Sequence, residues 1–417
     1  MTVDRTLAPS DREEAEQPSR WTIFFSHAFR PFFLAAGIYA VLALAAWLAW
    51  IGIHAAGAMP AFMTVAEPLH FWHAHEMIFG FGTAAAGGFL LTAVPSWTGA
   101  KHSNGTGLLF MFALWGAGRV AMWGTALFPP AVPLFLDMAF LPVLGFAAAR
   151  QLAAQPAPRN VIFLSLIVAF IAGNLLFHLG RLGLLEDGMA QGVRLGLGTL
   201  VVMIVVIAGR VIPGFTTNEL RRRDIVEERF LPMRRAPVDL ASIILSAAAL
   251  LSYALGLGAQ LTGIFAIGAA FANAFRLSGW QSLATLDTPI LWVLHLAYAW
   301  IVIGFLLLAT ALLGGWISEA AALHAFGTGA AGTMILAIMT RASLGHTGRA
   351  LIATRPIVAA YILVSVAALA RCFGPTIAPG FYNEIMLGAG AAWIAAYTLF
   401  TVVFAPILLG PRVQRSH

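Results

Sequence analysis

Apolar residues run in blocks of about twenty along nearly the whole chain, and short clusters of Gly, Pro or charge separate them. Coiled at about 1.5 Å per residue, such a block matches the roughly 30 Å hydrocarbon core of a bilayer. It is too uniformly apolar to be the one-sided stripe of a soluble helix. Twelve blocks predict twelve spanning helices, near residues 32–53, 76–96, 106–127, 132–149, 161–180, 192–209, 238–256, 259–277, 289–312, 321–340, 356–373 and 384–409. The expected fold class is therefore all-α, a polytopic integral membrane protein built as one twelve-helix bundle over residues 21–410. Residues 1–20 are polar, carry Pro9 and Pro18, and read as a tail. The first apolar run is too long and starts too late for a cleavable signal peptide. Residues 411–417 form a second short tail, and the only long connection runs from Arg210 to Arg235.

Composition sharpens this picture. Of 417 residues, 60% are hydrophobic and 10% charged, against about 25% charged in a typical soluble chain. A water-soluble globule of this length is excluded. The single cysteine, Cys372, excludes an intramolecular disulfide, a CxxCH haem attachment, a thiolate zinc site and a cysteine-ligated iron–sulfur cluster. The net charge of +6 comes almost wholly from arginine, Lys101 being the only lysine. With the N-terminus inside, twenty of the 24 basic residues fall on one side, which is the asymmetry of a cytoplasmic face rather than of a nucleic-acid-binding surface. Arg119, Arg181, Arg194 and Arg371 are the four exceptions. The expected setting is a bacterial inner membrane with both termini cytoplasmic. A weak internal echo joins GTAAAGGFLL (82–91) to GTGAAGTMIL (327–336), and more loosely to GLGTLVVMIVV from Gly196. Ancient duplication and close helix packing by small residues both account for it.

The histidines carry the chemical signal, and the topology sorts them into two layers. Toward the outer face lie His70, His73 and His75, with His54, His178 and His324 near that level. Toward the inner face lie His27, His102, His295 and His346. A helix of about 20 residues rises roughly 30 Å, so a single metal centre cannot draw on both layers. The densest string is His70-Phe-Trp-His73-Ala-His75-Glu76. On an ideal helix His70, His73 and Glu76 share a face and His75 points elsewhere. Imidazole suits haem iron and copper, and an intramembrane carboxylate is costly without a role. Glu76 is a candidate ligand, a group orienting an imidazole, or a proton donor; an interfacial hydrogen-bond belt is the plainer alternative. His73, His75 and Glu76 are taken as the catalytic candidates. Asn174 and Arg181 flank His178 within a turn, and the small residues after His324 would admit another helix or a flat macrocycle. In the inner layer, His27 and Arg30 sit among phenylalanines, His295 lies inside an apolar run, and His346 ends a Gly-rich stretch. His27, Arg30, His178, His295, His324 and His346 are cofactor-binding candidates, and His73, His75, His178, His295 and His324 are metal-ligand candidates. His27, His295 and His346 would serve a second, separate haem or stand as interfacial polar groups.

Several strings resemble one known family. HAFRPFF (27–33), WHAHEMIFGFG (72–82), GFLLTAVPSWTG (88–99), LWGAGR (114–119), GRVIPGFT (209–216) and HAFGTGAAGTMILAIMTRASLGHTGR (324–349) are similar to NnrS, a bacterial family of twelve-helix membrane proteins associated with nitric oxide stress and denitrification. The resemblance runs from about residue 21 to 410. It implies haem and copper in the membrane and protection against nitric oxide. Without a CxxCH string the haem would be non-covalent and b-type. The expected function is reduction of nitric oxide to nitrous oxide by a reductase-type oxidoreductase, with electrons from a quinol or a redox protein. A transporter or sensor of a metal or metal–nitrosyl species would use the same histidines without turnover.

Overall fold

The computed structural model describes residues 19–58, 64–153 and 158–413. Residues 1–18 of the expected N-terminal tail and 414–417 of the C-terminal one lie outside them. The described residues form helices and connecting turns with no strand, and twelve helices are long and apolar enough to cross a membrane. They are α1 (Phe29–Ala55), α2 (Leu69–Thr98), α3 (Gly105–Trp123), α4 (Ala131–Ala153), α5 (Val161–Arg181), α6 (Gly188–Arg222), α7 (Ala236–Leu255), α8 (Ala259–Ser278), α9 (Pro289–Gly314), α10 (Glu319–His346), α11 (Arg355–Ile377) and α12 (Pro379–Leu409). Each coincides with one predicted block. The largest boundary difference is in α6, which continues past Arg210 to Arg222 instead of entering a loop. Glu219 pairs with Arg222 at 2.7 Å and Arg223 at 3.0 Å, the (i, i+3) and (i, i+4) contacts that extend a polar helix end.

Burial is unevenly shared, and that sets where chemistry can be enclosed. In α2, α6 and α10 the most apolar windows are 78%, 78% and 72% buried, whereas the other nine lie between 33% and 44%. Three helices, four apart in sequence, thus form the centre, and the rest wrap them. They are the same three spans that carry the internal echo. Glycines let the centre close: a Cβ on Gly192 would come within 2.5 Å of the Gly173 carbonyl oxygen, and one on Gly196 within 2.4 Å of Phe79. Those contacts bring α5 and α2 against α6 at backbone distance, as small residues do in membranes. The start of α1 meets the end of α12, where the Arg30 guanidinium donates to the carbonyls of Leu408 at 2.7 Å and Gly410 at 2.6 Å. Arg30 so caps the C-terminus of α12, whose last carbonyls lack helical partners.

Two of the central helices share a rare irregularity. After His75, residues Glu76–Gly82 of α2 are wound as π-helix, and after His324 so are Ala325–Gly332 of α10. The π form ordinarily appears as single-turn bulges, often at functional sites. Here side chains from neighbouring helices serve its carbonyls: the Trp115 indole donates to Gly80 at 3.0 Å and the Tyr397 hydroxyl to Gly332 at 2.8 Å.

Candidate functional site

The histidines at the start of α2 do not form one site. The expected shared face of His70, His73 and Glu76 does not form. His70 is exposed near the start of α2. His73 faces a cavity toward α10, while His75 and Glu76 turn the other way, into a polar cluster with α3, α4 and α5. Glu76 is instead held on the side of His75 by Arg119, Tyr39 and His75 itself, whereas His73, two positions before His75 and so about 200° round the helix from it, faces away.

The polar cluster is fully enclosed. His75 Nδ1 lies 2.8 Å from Glu76 Oε1, and its Nε2 lies 2.9 Å from Asn174 Oδ1 and 3.2 Å from Asp137 Oδ2. His178 Nε2 reaches the same Asp137 oxygen at 3.0 Å, and Asn174 Nδ2 donates to it at 2.8 Å. Arg119 spans both carboxylates, donating to Glu76 Oε1 at 2.6 Å and to Asp137 Oδ1. The Tyr39 hydroxyl donates to Glu76 Oε2 and accepts from the Trp123 indole at 2.7 Å. Gly80 makes room for this, because a Cβ there would stand 2.6 Å from the Tyr39 ring. Both ring nitrogens of His75 thus face oxygen acceptors, and one guanidinium serves two carboxylates. The enclosed charge is one positive unit short, a shortfall that a proton or a metal cation would fill. His75 Nε2, Asp137 Oδ2 and His178 Nε2 form a set that could hold a metal, each atom within 4.8 Å of the others.

The cavity beside this cluster measures about 170 Å³ and is lined by α1, α2, α6, α10, α11 and α12. His73 and His324 line it among apolar side chains, and Arg371 is the one charged residue on its wall. The buried Nδ1 of His73 has no hydrogen-bond partner. His324 Nδ1 lies 2.7 Å from the Ala320 carbonyl, which fixes the proton there and leaves Nε2 as a lone-pair donor. His73 is also stacked on Trp47 (centroids 4.9 Å, 11°), which continues to Trp50 and His54 in nearly parallel rings. The small residues after His324 have two uses. A Cβ on Gly329 or Gly332 would strike Trp300 or Trp393, so these pack helices, whereas Gly327 opens onto the cavity.

The inner-layer candidates are not all brought together. His27 lies 5.3 Å from His102 between ring centroids, and His346 stacks on Phe29 at 5.4 Å, so these three histidines gather around the start of α1. Burial, then the neighbouring His102 and Arg30, push the His27 imidazole down to about 4. His295 stands apart. Its Nε2 lies 3.0 Å from the Thr216 hydroxyl and its Nδ1 2.9 Å from the Ser282 hydroxyl, so both ring nitrogens are already engaged. The structure also adds residues that sequence reasoning passed over. Asp137, Tyr39 and the inward role of Arg119 were missed, although Asp137 within AVPLFLDMAF is an intramembrane carboxylate and as such a signal. Glu67, buried just before α2, accepts from Thr125 at 2.8 Å and leaves its other oxygen unpartnered.

Comparison with known families decides the relationship. A family model described as NnrS protein matches residues 23–412. The chain belongs to the NnrS family. The match covers nearly the whole bundle, including α2 and α10 with their π segments. Membership of the NnrS family points to a role tied to the nitric oxide response. Among curated proteins no match is found.

Proposed function

We propose that this NnrS-family chain binds haem between α2 and α10 and reduces nitric oxide to nitrous oxide, with its terminal face in the cytoplasm. The observation that carries this reading is the pair His73 and His324 in one apolar cavity, each with a ring nitrogen free for a metal. The cavity fits the group: two imidazoles, apolar walls for a macrocycle, and a single arginine, Arg371, to pair a carboxylate at its edge. A haem there would supply a redox-active iron able to bind nitric oxide. The remaining work falls to this chain's residues. The apolar walls exclude water and charge while admitting a neutral gas. The reduction consumes two nitric oxide molecules, two electrons and two protons, and gives nitrous oxide and water. The enclosed cluster of His75, Glu76, Asp137 and His178 lies next to the cavity, because His73 and His75 are two residues apart on α2. It is the group of side chains suited to holding a proton there, with Arg119 and Tyr39 orienting Glu76. The same cluster fits copper, since imidazole nitrogens suit that ion and a cation balances the second carboxylate. Glu76 on the far nitrogen of His75 is the kind of carboxylate partner that orients metal-bound imidazoles.

Absorption spectra of the purified protein, oxidised and reduced, with metal analysis and an electrode assay of nitric oxide consumption under a chemical reductant, test the proposal. A Soret band with consumption is expected. Absence of haem overturns it. Haem present with nitric oxide bound but never consumed would identify a sensor or transporter instead.

A further inference from the structure

A second cavity, of about 60 Å³, lies along α1, α2, α6 and α10, and every side chain on its wall is hydrocarbon, aromatic or thioether. It follows the His73–His324 cavity end to end. On α2 the first cavity is lined by Phe81 and the second by Gly82. On α10 the first ends at Ala331 and the second begins at Met334, and on α6 Leu200 lines both. One water needs roughly 10–15 Å³ of such space and two to four polar partners. This cavity has several times that volume and none of the partners, so it is dry. Twelve of its lining residues are buried, while Phe89, Ile207, Val211 and Ile338 are only half-buried, so its lining reaches partly exposed positions on three helices. Met203, Met334 and Met339 give it polarisable walls.

We infer that this second cavity is a holding site for a small uncharged gas molecule, with nitric oxide as its ligand, placed in line with the histidine cavity. The inference rests on the proposed function for the identity of the gas, though not for the existence of the site. The chemistry selects the occupant. No ion or water finds a partner on these walls, whereas a neutral diatomic that dissolves in the bilayer needs only dispersion contacts. Leu200 is the side chain between the two compartments.

Xenon under pressure is the probe, since it occupies dry apolar cavities without needing haem. The full-length protein in nanodiscs, or crystallised, should hold xenon against Met203 and Met334, and an Ala208→Phe variant that fills the space should lose it. No xenon there in the unmodified protein overturns the inference. Nitric oxide arrival at the chromophore, followed after a flash, should slow several-fold in Ala208→Phe and quicken in Ile338→Ala. Xenon bound with both rates unchanged would make the cavity a dead end and overturn its role in line with the histidines. A protein without a chromophore would sink the proposed function, while xenon occupancy would still decide this site.

Discussion

Arg119 offers the sharpest test of how the enclosed cluster is held. Among the described residues its guanidinium is the only cation joining Glu76 and Asp137, both of which are fully buried. Arg119→Leu would leave two buried carboxylates without their countercation, held only by Tyr39, Asn174 and the two histidines. Breaking a buried ion pair by removing one member costs about 3–5 kcal/mol, because the remaining charge stays desolvated. The effect should appear as a large fall in the apparent melting midpoint in detergent, at a fixed scan rate since membrane proteins unfold irreversibly. Arg119→Lys keeps the charge and loses the fork that spans two acceptors, so it should fall between. The decisive comparison is Arg119→Leu combined with Glu76→Gln and Asp137→Asn. If the damage comes from uncompensated charge, the triple variant should recover most of the loss, as neutral replacement of a buried ion cluster does. A single Arg119→Leu variant as stable as the parent, or a triple variant no better than the single one, would refute the reasoning.

The remaining predictions touch separate parts of the molecule. Gly209→Ala places a Cβ 1.8 Å from the Arg276 guanidinium, which donates to the Val205 carbonyl at 2.8 Å. It should cost about 1–3 kcal/mol by overpacking, while Gly116→Ala, inside a helix and with nothing within 4 Å, should keep the thermal midpoint or raise it slightly. His73→Ala and His324→Ala should each alter or abolish the haem spectrum. His295→Ala should keep it and lose only stability, since Thr216 and Ser282 occupy its nitrogens; spectra of the three variants decide. The His27 imidazole, held down to about 4 by burial and by His102 and Arg30, should impose a pH dependence. Between the ordinary value of 6.5 and about 4 the unfolded chain takes a proton that the folded one refuses, so stability should fall as pH drops through that window. His27→Gln should flatten the decline measured by thermal midpoint against pH. For orientation, a cysteine at Arg222 should label from the cytoplasmic side and one at Leu184 from the other, with buried Cys372 silent; the reverse pattern would invert the proposed topology.

The twelve spans could be read directly from the sequence because a bilayer demands an unbroken apolar run of fixed length, and that demand acts locally on each helix. The arginine distribution, read from the loops, gives the orientation proposed above. Its four exceptions were in fact the most informative charges. Arg119 joins Glu76 and Asp137, Arg371 lines the histidine cavity, Arg181 lies 2.7 Å from the Pro130 carbonyl, and Arg194 lies 3.6 Å from Glu319. A count of loop charges reveals none of these placements. Which histidines share a site was decided by the fold alone. That His73 and His75 face opposite sides follows from their spacing on a regular helix, but which partners each would meet there does not. His73 lines one cavity with His324 across some 250 positions of sequence, and His75 meets Asp137 and His178, because side-chain partnership depends on helix rotation and packing distance. Those quantities are fixed when twelve helices settle against one another. An apolar pattern that says only where each helix begins and ends does not contain them.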